Sequence, residues 1–240
     1  SVTTHSVTFS SSDAAPTIGF SATSSNITET DDDAVSNLVV ALSTRSEVAM
    51  SVYATGAVGT AESGDFSVNS GTAITIDAST ADVNNLTANV PVTVVGDLID
   101  EENQTFTVTL SSATDASISV GVSDVHTVTI IDNDAPPVVR IYYQGDDEVQ
   151  AFDVAEGNGS FTFKVALAGA TEKNVSIDYE VDALVSTTKL NQDYSGLASS
   201  GTFTLVAGVS SQEVTVTLTS DIVDEPDQTL KVDLVSGSET

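Results

Sequence analysis

The strongest constraint on this chain is that it repeats itself. Residues 5–16 read HSVTFSSSDAAP and residues 126–137 read HTVTIIDNDAPP, and the two align without a gap at an offset of 121. His5 meets His126, Val7 meets Val128, Asp13 meets Asp134 and Pro16 meets Pro137. Residues 97–106 (DLIDEENQTF) match residues 221–230 (DIVDEPDQTL), Ser63-Gly64-Asp65-Phe66 matches Asn191-Gln192-Asp193-Tyr194, and Glu29 matches Glu156. These offsets run from 124 to 128, as small loop insertions between copies would give. A period of about 120 residues is the size of one whole sandwich domain. The chain is therefore expected to divide into residues 1–13, the last strand of a preceding repeat; residues 14–134, a complete repeat; and residues 135–240, a second repeat that stops before its own final strand. Ala135-Pro136-Pro137 forms the linker, and proline holds such a segment extended and semi-rigid. That division also makes the chain look like an internal piece of a longer array.

Within each repeat the hydrophobic period is two. Phe161, Phe163, Val165 and Leu167 alternate with polar or small residues, as do Val175, Ile177, Tyr179 and Val181, and then Phe106, Val108 and Leu110. Side chains two apart share one face of a strand, so each run predicts a strand buried on one side. Clusters of Gly, Asn, Asp and Ser separate the runs, and no long amphipathic helix is evident. The expected fold class is all-β: tandem immunoglobulin-like antiparallel β-sandwiches. Tryptophan is absent and aromatics make up 5% of the residues, so Val, Ile, Leu and Ala must fill the cores.

Charge narrows the function. Asp and Glu number 35 against 6 Lys and Arg, a formal net charge of -29. Phosphate contacts need cations, so a nucleic-acid partner is excluded, and anionic lipid is disfavoured. No apolar run approaches the ~20 residues of a membrane helix, and direct membrane insertion is not expected. Without cysteine there is neither disulfide nor thiolate metal site. The acids of the complete repeat lie just outside the expected strands: Glu29, Asp65, the group Asp97, Asp100 and Glu101, and then Asp132 and Asp134. Alternate loops of a sandwich gather at one end. Two unit charges 4 Å apart repel by about 4 kcal/mol at an effective dielectric of 20. The complete repeat has only Arg45 to offset them, so a gathering of these acids calls for a divalent cation. An all-oxygen donor set selects Ca²⁺ over zinc or copper, and Mg²⁺ prefers to keep its waters.

Four elements standing in order give the chain its likeness to a known family. They are the early Glu (Glu29, Glu156), the Asp-aromatic pair (Asp65-Phe66, Asp193-Tyr194), the acid-rich loops beginning at Asp97 and Asp221, and the closing Val128-Thr129-Ile130-Ile131-Asp132-Asn133-Asp134. In this the sequence resembles tandem Calx-beta domains, found in the sodium–calcium exchanger and in large bacterial surface proteins. Carried over residue by residue, the resemblance implies Ca²⁺ ligands at Glu29, Asp65, Asp97, Glu101, Asp132 and Asp134 in the complete repeat. In the second it implies Glu156, Asp193, Asp221 and Glu225. Leu98 and Ile222 stand where many members carry another Asp, which implies fewer ions per repeat.

Several charges read more simply. Asp100 and Glu102 are expected to face solvent, Asp31-Asp32-Asp33 and Asp146-Asp147-Glu148 to be exposed charge, and His5 and His126 to be structural. No motif of a hydrolase nucleophile, zinc protease or phosphate-binding loop is present. An enzyme is not expected. The expected role is a calcium-binding structural repeat region of a large secreted or cell-surface protein, stiffened by Ca²⁺ near domain junctions, in the manner of an adhesin extender. Its partners would be neighbouring repeats of the same chain, with cell-surface or matrix ligands met through other domains. The alternative is a calcium-dependent recognition module for a glycan or a partner protein.

Overall fold

A computed structural model of the chain describes residues 3–240 except 11, 15, 47–48, 78–85, 113–116, 119–122, 144–150 and 191. The acidic run 146–148 therefore lies outside the described residues. Two compact units are present. The first comprises residues 1–97 and 103–132, the second residues 98–102 and 133–240.

Among the described residues nineteen strands follow one another: β1 (Thr17–Phe20), β2 (Ser24–Thr28), β3 (Ala34–Leu42), β4 (Met50–Val58), β5 (Phe66–Val68), β6 (Ile74–Ile76), β7 (Thr87–Val94), β8 (Ile99–Asp100), β9 (Gln104–Ser112), β10 (Ser117–Ile118), β11 (Val125–Ile131), β12 (Val138–Tyr143), β13 (Ser160–Ala168), β14 (Ala170–Thr171), β15 (Val175–Val181), β16 (Tyr194–Ser195), β17 (Ser200–Leu205), β18 (Ser211–Leu218) and β19 (Val232–Glu239). One short 3₁₀ turn, Glu156–Asn158, precedes β13. The all-β reading holds, and each unit is a sandwich of two sheets.

In the first unit the sheets run β10-β1-β3-β7-β5 and β2-β11-β9-β4-β6. The period-two runs close on each other. Leu38, Val40 and Leu42 of β3 and Val90, Val92 and Val94 of β7 share one core with Phe106, Val108 and Leu110 of β9 and Val128 and Ile130 of β11. Phe106 stacks flat on Phe66, with ring centroids 4.0 Å apart. In the second unit the sheets run β12-β13-β18-β16 and β17-β15-β19, with β8 and β14 as a small parallel pair. Its core gathers Phe163, Val165, Ile177, Tyr179, Phe203, Leu205, Val214 and Val216.

The repeat read in the sequence is visible in the strand order. The run β1-β3-β7-β5 has its counterpart in β12-β13-β18-β16, and β6-β4-β9 has its counterpart in β17-β15-β19. The first unit continues beyond β9 with β11 and β2, whereas β19 ends its sheet among the described residues.

His126 is buried in β11, as its structural assignment requires. Its Nδ1–H donates to the Ala22 carbonyl at 2.7 Å, Ser25 Oγ is 2.8 Å from Nε2, and the ring packs against Phe20. His126→Ala should cost about 1–3 kcal/mol, because it strands buried polar groups. Urea denaturation of the first unit checks this value.

Candidate metal centre

The centre is built where three chain segments meet. β2 ends at Thr28, and the following residue, Glu29, donates its backbone N–H to the Ile131 carbonyl at 2.9 Å. That bond extends the parallel pairing of β2 with β11, in which Ile27 stands opposite Ile130 and Thr28 opposite Ile131. The acid following β2 is thus fixed beside the start of Asp132-Asn133-Asp134. The third segment follows β7. The Asp97 backbone N–H donates to Glu29 Oε1 at 3.2 Å, and the Gly96 N–H reaches Asp33 Oδ1 at 3.4 Å. One carboxylate oxygen from each of Glu29, Asp97 and Asp134 lies within 4.8 Å of the other two. Glu29 is only 3% exposed.

Gly96 is what lets the segments approach. A Cβ at that position would stand 1.9 Å from the Thr30 carbonyl oxygen and 2.6 Å from that of Asp32. Two fixed backbone carbonyls leave no side chain to swing aside. Asn103 steadies the far side, its Oδ1 accepting the Asp132 N–H at 3.2 Å. Neither Gly96 nor Asn103 emerges from the sequence reading.

At separations near 4.8 Å, paired carboxylates repel by roughly 3 kcal/mol each at an effective dielectric of 20. Three of them, one fully buried, favour a bound cation. Their oxygen chemistry fits Ca²⁺.

The other sequence candidates stand as follows. Asp132 and Glu101 are half-buried and lie outside the group of three. Asp65 clamps its own turn, its Oδ2 accepting the Glu62 N–H at 2.6 Å and its carbonyl accepting the Val95 N–H at 2.8 Å. Asp193 repeats that arrangement, with Lys189 N–H on Oδ2 at 2.6 Å and Thr219 N–H on its carbonyl at 2.9 Å. The recurring Asp-aromatic pair therefore caps a turn with the acid and anchors the ring in the core, Tyr194 being buried. Glu156 is exposed in the 3₁₀ turn. Asp221 accepts the Val223 N–H, and Glu225 accepts from Gln228 Nε2; both acids are exposed. Among the described residues no second group of three acids gathers in this way.

One expectation is corrected. Asp100 does not face solvent: it is 1% exposed. Thr171 Oγ1 donates to its Oδ2 at 2.8 Å and Lys173 Nζ to its Oδ1 at 2.6 Å, while its carbonyl accepts the Glu172 N–H at 3.0 Å. A cation and a hydroxyl compensate the burial that the alternation pattern gave no reason to expect. Glu102 and Asp31-Asp32-Asp33 are exposed, as expected.

The second unit also carries an open cleft of about 490 Å³ lined by Tyr142, Tyr143, Phe161, Lys164 and Glu213. Its rings are already engaged. Lys164 Nζ lies 5.2 Å from the Tyr142 ring centroid, and Tyr143 stacks on Phe152 at 3.5 Å.

A family model described as the Calx-beta domain matches residues 11–134 and 148–240. The chain belongs to the Calx-beta family. The first matched segment contains Glu29, Asp97 and Asp134 together. A crystal structure of CBD12 from CALX1.2 is similar over 93% of this Calx-beta chain and 81% of that one, at 18% identity and a TM-score of 0.41. The calcium binding domain CBD12 of CALX1.1 is similar over 92% and 80%, at 18% identity and a TM-score of 0.40. A putative carbohydrate binding protein from Bacteroides ovatus is similar over 93% and 70%, at 14% identity and a TM-score of 0.42. No curated protein matches the sequence. No helix among the described residues is long and apolar enough to cross a membrane.

Proposed function

We propose that this is a calcium-binding structural repeat region of a large secreted or cell-surface protein, serving as an extender of the adhesin type. The observation that carries this reading is the convergence of Glu29, Asp97 and Asp134 from three distant segments. Asp134 directly precedes Ala135-Pro136-Pro137. An ion held there ties the first residue before the linker to the loops after β2 and β7. Binding thereby stabilises the sandwich end and restricts the linker. Holding an ion at a chain junction is work that the geometry of these acids suits. The sugar-binding alternative gains little from the cleft, since a sugar stacking on Tyr142 or Tyr143 would compete with Lys164 and Phe152.

Calorimetric titration of the chelated protein tests the reading. Extracellular calcium sites have dissociation constants of ~10⁻⁴ to 10⁻³ M, and saturating heat is expected in that range. At ~100 times the dissociation constant, binding adds about 2.7 kcal/mol. For a domain of this size, with about 2.1 cal/mol/K per residue of unfolding entropy, that is a rise of roughly 10 °C in Tm. Glu29→Gln combined with Asp134→Asn should remove both the heat and the rise. Absence of both in the unaltered protein would overturn the assignment.

A further inference from the structure

The second unit carries a buried group of charges that the calcium centre does not use. Residues 98–102 belong to this unit. β8 pairs with β14 in parallel and sets Asp100 opposite Thr171. Lys173 follows two residues later, its backbone N–H donating to Thr171 Oγ1 at 3.1 Å. Its Nζ lies 2.6 Å from Asp100 Oδ1, and the two side chains are 14% and 2% exposed. β19 brings the third member. Glu239 stands opposite Val175, and its carboxyl hydrogen-bonds Asp100. An amine, a carboxyl and a further acid thus meet at Asp100.

Such a trio can do more than pair charges. Burial disfavours both charged forms, so a proton can pass from the ammonium to the carboxylate. A desolvated lysine amine is a nucleophile. At hydrogen-bond distance from one carboxyl oxygen, its nitrogen is also close to the carbon that bears it, near the roughly 3–3.5 Å from which held groups react. Thr171 Oγ1 donates to Asp100 Oδ2 at 2.8 Å, and the Glu239 carboxyl is a second donor to the oxygens on which charge develops. Burial first, and then the Asp100 charge, hold that carboxyl above its usual range, which favours its protonated form against the opposing Lys173.

We propose that Lys173 and Asp100 condense into an intramolecular amide, with Glu239 as the catalytic acid and base. Nζ attacks Cγ of Asp100, the N–C bond forms, and the bond from Cγ to one carboxyl oxygen breaks. Of the three ammonium protons, one stays on the amide nitrogen and two leave with that oxygen as water. Glu239 gives a proton to the departing oxygen and takes one from the nitrogen, so it ends as it began. The step needs neither oxidant nor metal. The bond ties residue 100 to residue 173 and closes a loop that contains Ala135-Pro136-Pro137. In a chain without cysteine it is a covalent staple that restricts the unfolded state as a disulfide does. Before reaction the pair is the ion pair described above, and Lys173→Met removes it in either form.

The test is intact-mass spectrometry of the folded full chain, followed by proteolysis and peptide mapping. The chain should be lighter than its sequence by one water, in chelator as in calcium. The digest should yield a branched peptide joining the segment of Asp100 to that of Lys173. Lys173→Arg keeps the charge and should restore the full sequence mass. Glu239→Gln leaves the Lys173–Asp100 pair in place and should also restore it, with circular dichroism confirming the fold. Asp100→Asn should lose one ammonia in place of one water, because the leaving group then comes from the amide of residue 100. A folded native chain of full sequence mass would overturn the proposal, and so would a loss of water that Lys173→Arg retains. A loss of water that Glu239→Gln retains would overturn the role given to Glu239.

Discussion

Lys173→Met is expected to destabilise the second unit by about 3–5 kcal/mol, the usual cost of removing one partner from a buried ion pair. Lys173 Nζ lies 2.6 Å from Asp100 Oδ1, and the two side chains are 14% and 2% exposed. Methionine preserves much of the stem's packing, so what is lost is the charge. Asp100 would keep Thr171 as a donor, but its neighbour would then be another acid. Burial first, and the Asp100 charge second, already hold the Glu239 carboxyl above the usual range, while Lys173 opposes that rise. Removing the ammonium raises Glu239 further. A carboxyl whose folded pKa is raised loses stability as pH climbs from its unfolded value through its folded one. The variant's deficit should therefore grow as pH rises through and above the ordinary glutamate range. Denaturant melts at a series of pH values measure both the loss and its slope. A loss below about 1 kcal/mol would place the pair among solvated surface bridges.

Gly96→Ala should disable the metal centre and the fold around it together. Its Cβ would lie 1.9 Å from one backbone carbonyl oxygen and 2.6 Å from another. Relief requires the segment after β7 to move away from the loop containing Thr30 and Asp32. Overpacking of this kind costs about 1–3 kcal/mol and occasionally more; two backbone obstacles place this site at the upper end. The same movement pulls Asp97 from Glu29, whose Oε1 accepts the Asp97 N–H. The variant should thus melt lower in chelator and also lose the roughly 10 °C calcium-induced rise expected of the native chain. Paired thermal scans with and without calcium separate the two effects. A variant that melts lower yet keeps the full calcium response would dissociate Gly96 from the centre.

Much of the fold was legible because its signals are local and periodic. Alternation at Phe106, Val108 and Leu110 marks β9, and the same period marks β13 and β15. The internal repeat supplied what periodicity cannot, namely which strands correspond, and the strand order agrees. The acids that converge were all named from their place beside strand ends, but their selection was not. Which three of six meet depends on the pairing of β2 with β11, a parallel contact about 100 positions apart in sequence. Asp65 and Asp193 look like ligands in sequence and clamp their own turns in the fold, because a carboxylate three or four residues beyond a free N–H serves either purpose. Asp100 was misread for a related reason. Its burial follows from pairing β8 with β14, and nothing near Asp100 in sequence announces Thr171 or Lys173. Gly96 carries no charge and no period; only the nearness of Thr30 gives it meaning.

The most direct measurement is a crystal structure of the chain grown in millimolar calcium, with anomalous data collected to locate the ion. The expected result is a calcium peak bounded by oxygens of Glu29, Asp97 and Asp134 at ~2.3–2.6 Å. Those three carboxylates turned apart, with no ion among them despite ample calcium, would contradict it.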